Sequence, residues 1–268
     1  MNNDRIQEIL DLMEEARLDY FLISDPQSIA YCTGYYNDPH ERMFVFMISK
    51  HGNHTLFMND LFYLDHDLDV NIVWHKDGQD AIQTIVDEMH FPGRIGIDKN
   101  WASHFLLDLM KKLPNAKYIN ASPCVDLVRM KKDLQEQVLM IESSKINDAV
   151  MEEIIPFIQE GVTEKQLAKK LDELFFNHHS TCYGAIVAFG KNAADPHHEN
   201  DDTLLRKGDC VLIDMGCVYK GYCSDMTRTF FYEGILEEEI KVYEIVKKAN
   251  EAAEAMIKPG VKLSDIDK

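Results

Sequence analysis

Two aspartates stand where a β-strand would ordinarily carry an apolar side chain. The stretch Gly208–Phe230 (GDCVLIDMGCVYKGYCSDMTRTF) has two β-branched and aromatic runs on either side of a Gly-containing turn, the pattern of an antiparallel hairpin. Asp214 closes the run Val211-Leu212-Ile213, and Asp225 lies between Tyr222-Cys223 and the run that begins at Met226. A loop of the residues Val218 to Gly221 would pair Cys217 with Tyr222 and bring Asp214 directly opposite Asp225. Opposed residues in such a pair have Cβ atoms about 4.5–5.5 Å apart on one face. Two ionised carboxylates at that distance repel unless one or two divalent cations lie between them. A shifted hairpin, with one aspartate on the outer face or at a strand end, is the plain structural alternative. His197 and His198 approach the hairpin from the loop GKNAADPHHENDDT. Loop histidines beside paired carboxylates are suited to ligating a metal, donating a proton or holding a substrate.

The rest of the chain must position these groups. Its 268 residues, 46% hydrophobic and 28% charged, describe a globular protein with room for two domains. A formal net charge of −18 excludes a nucleic-acid partner that would need clustered Lys and Arg. No apolar run reaches transmembrane length, and the N-terminus MNNDRIQEILDLMEE lacks the apolar core of a signal peptide. The expected setting is cytoplasmic, with no membrane partner. The six cysteines form no C-x-x-C pair and read as small core residues in a reducing compartment.

In residues 1–125, predicted helices at 2–17, 26–31, 81–89 and 101–112 alternate with predicted strands at 20–23, 43–48, 54–58, 71–75, 94–97 and 117–119. That alternation predicts an α/β domain around a central sheet. No Gly-rich loop follows a strand, so nothing supports nucleotide binding. The polar loop NDPHER, with Asp38, His40, Glu41 and Arg42, reads as a turn held by an ion pair. Residues 121–132 read as a connector, which places residues 126–268 in a second domain. There a long helix at 134–158 precedes one that opens on the capping-box pair Thr163 and Gln166. His178 and His179 suit that helix's C-terminal dipole. A strand at 185–189, the histidine loop, the hairpin and a helix at 237–256 follow. After Pro259-Gly260, Ser264 reads as the N-cap of one more helix.

The order and spacing of GKNAADPHHE, LLRKGDCVLIDMG and GYCSDMTRTF resemble the creatinase/methionine-aminopeptidase ("pita-bread") metallopeptidase family, in its Xaa-Pro dipeptidase (prolidase) branch. YCTGYYNDPHERMF resembles the N-terminal domain of that branch, and KPGVKLSDID the segment after its hairpin helix. The resemblance implies a creatinase-like α/β N-terminal domain with a mixed sheet and an α+β pita-bread catalytic domain that is incomplete at its C-terminus. It implies a homodimer and a site with two divalent ions (Mn, Co or Zn) that cuts the bond before proline in Xaa-Pro dipeptides or short peptides. On that pattern Asp214 ligates one metal and Asp225 bridges both. His197 contacts the substrate and stabilises developing charge, and Thr227 supports a carboxylate. His198 and Asp38 are candidate substrate contacts, Asp38 from the partner's NDPHER loop. One histidine and two glutamates that complete the family's ligand set have no counterpart before Lys268, so the chain as given is expected to be inactive. Aminopeptidase P and a non-catalytic binding module of the same fold are the rival readings.

Overall fold

In the computed structural model, which describes residues 1–90 and 92–268, the chain divides into two compact units, Met1–Lys132 and Asp133–Lys268.

The first unit opens on α1 (Asn3–Glu15), capped by the Asn2 side chain, which accepts from the Arg5 N–H. It continues through β1 (Tyr20–Ile23), α2 (Pro26–Thr33), β2 (Val45–Ser49), β3 (Thr55–Asn59), β4 (Asn71–His75), α3 (Ala81–Asp87), β5 (Arg94–Ile97), α4 (Ser103–Lys112), β6 (Lys117–Asn120) and α5 (Ser122–Met130). The six strands form one mixed sheet in the order β4-β3-β2-β1-β5-β6. β1 runs antiparallel to β2 and parallel to β5. β1, β2 and β3 are buried along their whole length, as expected of strands covered on both faces. Their side chains alternate between two cores. Phe21, Ile23, Phe46 and Ile48 meet α1, α2 and α5, whereas Tyr20, Leu22, Val45 and Met47 meet α3 and α4. The predicted α/β domain with a mixed central sheet is therefore present. The connector expected at 121–132 is instead α5, with Pro123 in its first turn and Cys124, Val125 and Val128 buried. Its basic residues had masked that apolar stripe.

The second unit begins with α6 (Leu134–Ile154), which ends in a 3₁₀ turn at Ile155–Phe157, earlier than the predicted 158, because Pro156 cannot continue an α-helix. Then come α7 (Glu164–Asn177), β7 (Thr181–Cys182), β8 (Ile186–Phe189), a 3₁₀ turn at Gly190–Ala194, β9 (Cys210–Met215), β10 (Cys217–Tyr219), β11 (Tyr222–Cys223), β12 (Met226–Phe231), α8 (Glu237–Met256) and α9 (Leu263–Ile266). Both the capping box at Thr163/Gln166 and one at Asp133/Glu136 are formed. His178 is the C-cap of α7 and pairs with Glu153 at 2.9 Å. α9 starts at Leu263 with Lys262 as N-cap, so Ser264 lies inside the helix and caps nothing.

Two three-stranded sheets, β11-β10-β7 and β12-β9-β8, meet at Gly216. The alternation along β9 is regular: Val211, Ile213 and Met215 are buried, and Leu212 and Asp214 are half-buried on the other face. The buried set packs with Leu167, Leu171 and Phe175 of α7 and Val150 and Ile154 of α6. Asp214 therefore projects from the face of β9 opposite the helices. All six cysteines are free; Cys32, Cys124 and Cys217 are core residues, but Cys223 is exposed at the hairpin end. Among the described residues, no helix is long and apolar enough to cross a membrane.

Candidate metal centre

The hairpin turn is tighter than its sequence suggests. Tyr219 pairs with Tyr222 and Val218 with Cys223, so the loop is Lys220-Gly221 alone. Both residues have positive φ, 48° and 85°, as a two-residue turn matched to the strand twist requires. This corrects the expected pairing of Cys217 with Tyr222. It moves the partner of Asp214 from Asp225 to Thr227. The change of one partner by two residues keeps every side chain on its predicted face. Asp225 precedes Thr227 by two, just ahead of β12, where the strand's alternation, if carried back, would put it on the side of Thr227 and Asp214. Continued on that register, the two carboxylates would be diagonal neighbours, an arrangement that leaves them within reach of a common ligand.

Thr227 Oγ1 donates to Asp214 Oδ1 at 2.7 Å. Among the described residues this is the single hydrogen bond to the Asp214 carboxylate, and none reaches that of Asp225. Both groups thus hold unused lone pairs on one exposed-to-half-buried face. An all-oxygen, doubly negative donor set of this kind fits a hard or borderline divalent cation.

A side chain not anticipated from the sequence borders the same face. Tyr183 Oη donates to the Ser224 carbonyl at 2.7 Å. It can do so because position 216 is glycine: a Cβ there would lie 2.2 Å from both Tyr183 Oη and Ser224 O. The phenol thus occupies the space a side chain on Asp214's face would fill. Desolvation first, and then the negative charges of Asp225 and Asp214, push the Tyr183 hydroxyl above its ordinary pKa. Both carboxylates are therefore within electrostatic range of one oxygen, in agreement with their common face. No local signal marks Tyr183, because its place depends on a strand break thirty-odd residues downstream.

The two loop histidines part company. His197 is exposed, and its backbone N–H donates to Asp195 Oδ1 at 3.0 Å. His198 turns inward: its side chain is 12% exposed and its Nε2 lies 2.6 Å from Glu164 Oε2. Glu164, His198 and Asp201 form a trio with ligand atoms within 4.8 Å of one another. Glu164 is nevertheless poorly placed to take a cation. Its Oε1 accepts from Phe189 N and Asn192 Nδ2, at 2.8 and 2.9 Å, and its Oε2 from Asp201 N at 3.0 Å besides His198. Four donors fill a carboxylate's acceptor sites.

Asp38 lies in the first unit, exposed, where its Oδ1 caps the turn by accepting from His40 N at 3.1 Å. The ion pair expected in NDPHER forms between Arg42 and Glu41 at 2.8 Å, and Arg42 also forks onto Asp77.

Residues 138–268 match the metallopeptidase family M24, and residues 5–131 match the creatinase/prolidase N-terminal domain. A dipeptidase from Pyrococcus horikoshii OT3 superposes with a TM-score of 0.88 at 32% identity, over 98% of this chain and 75% of that one. The chain belongs to metallopeptidase family M24. Within that family, a prolidase from Thermococcus sibiricus shares 27% identity and a TM-score of 0.88, over 100% of this chain and 75% of its own. An uncharacterized peptidase of Staphylococcus aureus is 29% identical over 98% of this chain and 76% of its own length. The M24 match spans the histidine loop and the whole hairpin, and the family assignment carries divalent metal ions with it.

Proposed function

We propose that this M24 metallopeptidase hydrolyses the bond preceding proline in Xaa-Pro dipeptides, with Asp214 and Asp225 as two of the ligands to a pair of divalent cations (manganese, cobalt or zinc). One observation carries the reading: two carboxylates at neighbouring strand positions that together receive a single protein hydrogen bond, from Thr227 to Asp214. The cations supply Lewis acidity to water and to the scissile carbonyl. The chain's own residues do the remainder. Thr227 fixes the orientation of the Asp214 carboxylate, which keeps its other oxygen and lone pairs directed away from the hydroxyl. His197, with its ring free on the loop, donates a hydrogen bond to the carbonyl oxygen as charge develops there. A prolyl imide has no N–H, so recognition rests on the shape of the ring pocket and on polar anchoring of the dipeptide's ends. The Asp38 turn supplies one such anchor from a second copy of the chain in a homodimer.

Two carboxylates alone leave a cation largely to water, so residues 1–268 by themselves are expected to bind it weakly and to turn over little substrate. The test compares the 268-residue chain with a version extended by the part of the staphylococcal relative that the match leaves uncovered, about a quarter of its length. Calorimetric Mn²⁺ binding should be weak in the first, tight in the second, and lost from both in Asp225→Asn. The extended form should cleave Xaa-Pro dipeptides and leave tripeptides with proline second intact. Cleavage of the tripeptides instead would make it an aminopeptidase, and tight metal loading without X-Pro cleavage would sink the proposal.

A further inference from the structure

Glu164 has no exposed side-chain surface, and the chemistry above makes no use of it. Burying an ionised carboxylate is costly unless it is paired and hydrogen-bonded. Here the compensation comes from a single piece of chain. Phe189, Asn192, His198 and Asp201, all from the segment 189–201, send one donor each into the two oxygens. These four contacts grip the segment where it leaves β8, in its 3₁₀ turn, beside His197 and at its far end.

The first turn of α7 extends that grip. Glu164 N donates to Thr203 O and Lys165 N to Asp201 O, both at 3.2 Å, and Leu205 N donates to Val162 O at 2.9 Å. Asn192 Nδ2 is shared between Glu164 and Thr203 Oγ1, which ties the start of the loop to its end. The position at the helix N-terminus favours the negative charge itself. The loop between β8 and β9 is thus wrapped around one buried anion.

We propose that Glu164 is a positioning residue: it sets the loop that presents His197, and His198 is the strut between them rather than a contact to substrate. This rests on the reading of His197 given above, but the anchoring can be measured without it. Glu164→Gln keeps the shape and replaces one acceptor with an NH₂ group that faces N–H donors. Amide hydrogen exchange in residues 190–201 should accelerate at least tenfold while β9 and β12 stay protected and Mn²⁺ binding is unchanged. Unaltered exchange in the loop would overturn the anchoring, whatever the catalytic role of His197.

The second arm reads kcat/KM for an Xaa-Pro dipeptide in the extended peptidase. Glu164→Gln and His197→Ala should each cost roughly 100–1,000-fold, and the double variant no more than the worse single one, because both remove the same contact. Additive losses would overturn the positioning role. Full activity in His197→Ala would defeat the proposed chemistry instead and leave the exchange result to decide the anchor. Should Glu164→Gln not fold, His198→Ala removes one donor of four and should loosen the loop, while His198→Gln, which can still donate to Glu164, should restore it. Failure of His198→Gln to restore both exchange and kcat/KM would mean that the imidazole itself is required, which overturns the strut.

Discussion

Thr227 faces Asp214 across the β9–β12 ladder and donates its hydroxyl to Oδ1 at 2.7 Å. Groups that orient a ligand carboxylate typically contribute 10–100-fold to metal affinity. Thr227→Val keeps the β-branched shape and removes the donor. It should weaken cation binding by about tenfold with little change in melting temperature, as read by calorimetry beside thermal unfolding. Thr227→Ser should retain the affinity. Equal binding in the valine variant would show that the hydroxyl does not orient Asp214.

Gly216 is constrained from the other side of the same face. A Cβ there would meet the Ser224 carbonyl oxygen at 2.2 Å and the Tyr183 ring carbon Cζ at 2.4 Å. One obstacle is backbone and the other a ring held by its own hydrogen bond, so neither yields cheaply. Gly216→Ala should destabilise the second unit by about 1–3 kcal/mol, the usual cost of overpacking, and should break the Tyr183–Ser224 bond. Denaturant unfolding measures the first effect. If Gly216→Ala unfolds at the wild-type denaturant concentration, the close approach is not real.

How much of this was legible in the sequence depends on the range of the signal. β1, β2 and β3 announce themselves because they are buried along their whole length and read as mostly apolar runs. The face of Asp214 is legible too, since alternation with Val211 and Ile213 is local. The register is not: the loop is decided by Lys220 taking a positive φ, a conformation that lysine's chemistry does not advertise. The strand pair at Thr181–Cys182 is too short to carry a period. Glu164 looks like any acidic residue in a first helical turn; only the return of residues 189–201 buries it. Burial of Glu164 and the place of Tyr183 are long-range effects, whereas the basic residues over the apolar stripe of α5 and the early stop of α6 at Pro156 are local.

The Tyr183 hydroxyl offers a test of where the two carboxylates point. Burial, and then the anions of Asp225 and Asp214, raise its pKa. A neighbouring carboxylate disfavours phenolate, so neutralising one must lower the value, and burial keeps it from falling all the way to that of a free tyrosine. In metal-free protein, Asp225→Asn should therefore shift the ¹³Cζ titration of Tyr183 to lower pH, and Asp214→Asn should do so by less. No shift in either variant would place the carboxylates away from the phenol and off a common face.

Asp19 makes a prediction for the first unit that does not depend on the metal. Its carboxylate joins the turn after α1 to the start of β5, accepting from Gly93 N at 2.9 Å, Arg94 N at 2.8 Å and the Lys50 ammonium. Burial alone would raise its pKa, but the Lys50 hydrogen bond and the two N–H groups outweigh it and hold the carboxyl below the ordinary aspartate value. A folded-state pKa below the unfolded value of about 3.9 means that the unfolded chain binds the proton more readily. The stabilisation is therefore complete above pH 4–5 and disappears as pH falls through the depressed folded value. Asp19→Asn should cost about 1–2 kcal/mol at pH 7, in the range for hydrogen bonds to a charged group with one acceptor retained. The gap between the two proteins should close below about pH 3. Urea unfolding of both across pH 2.5–7 measures it. A gap that stays constant down to pH 2.5 would mean that the ionised carboxylate contributes nothing to the first unit.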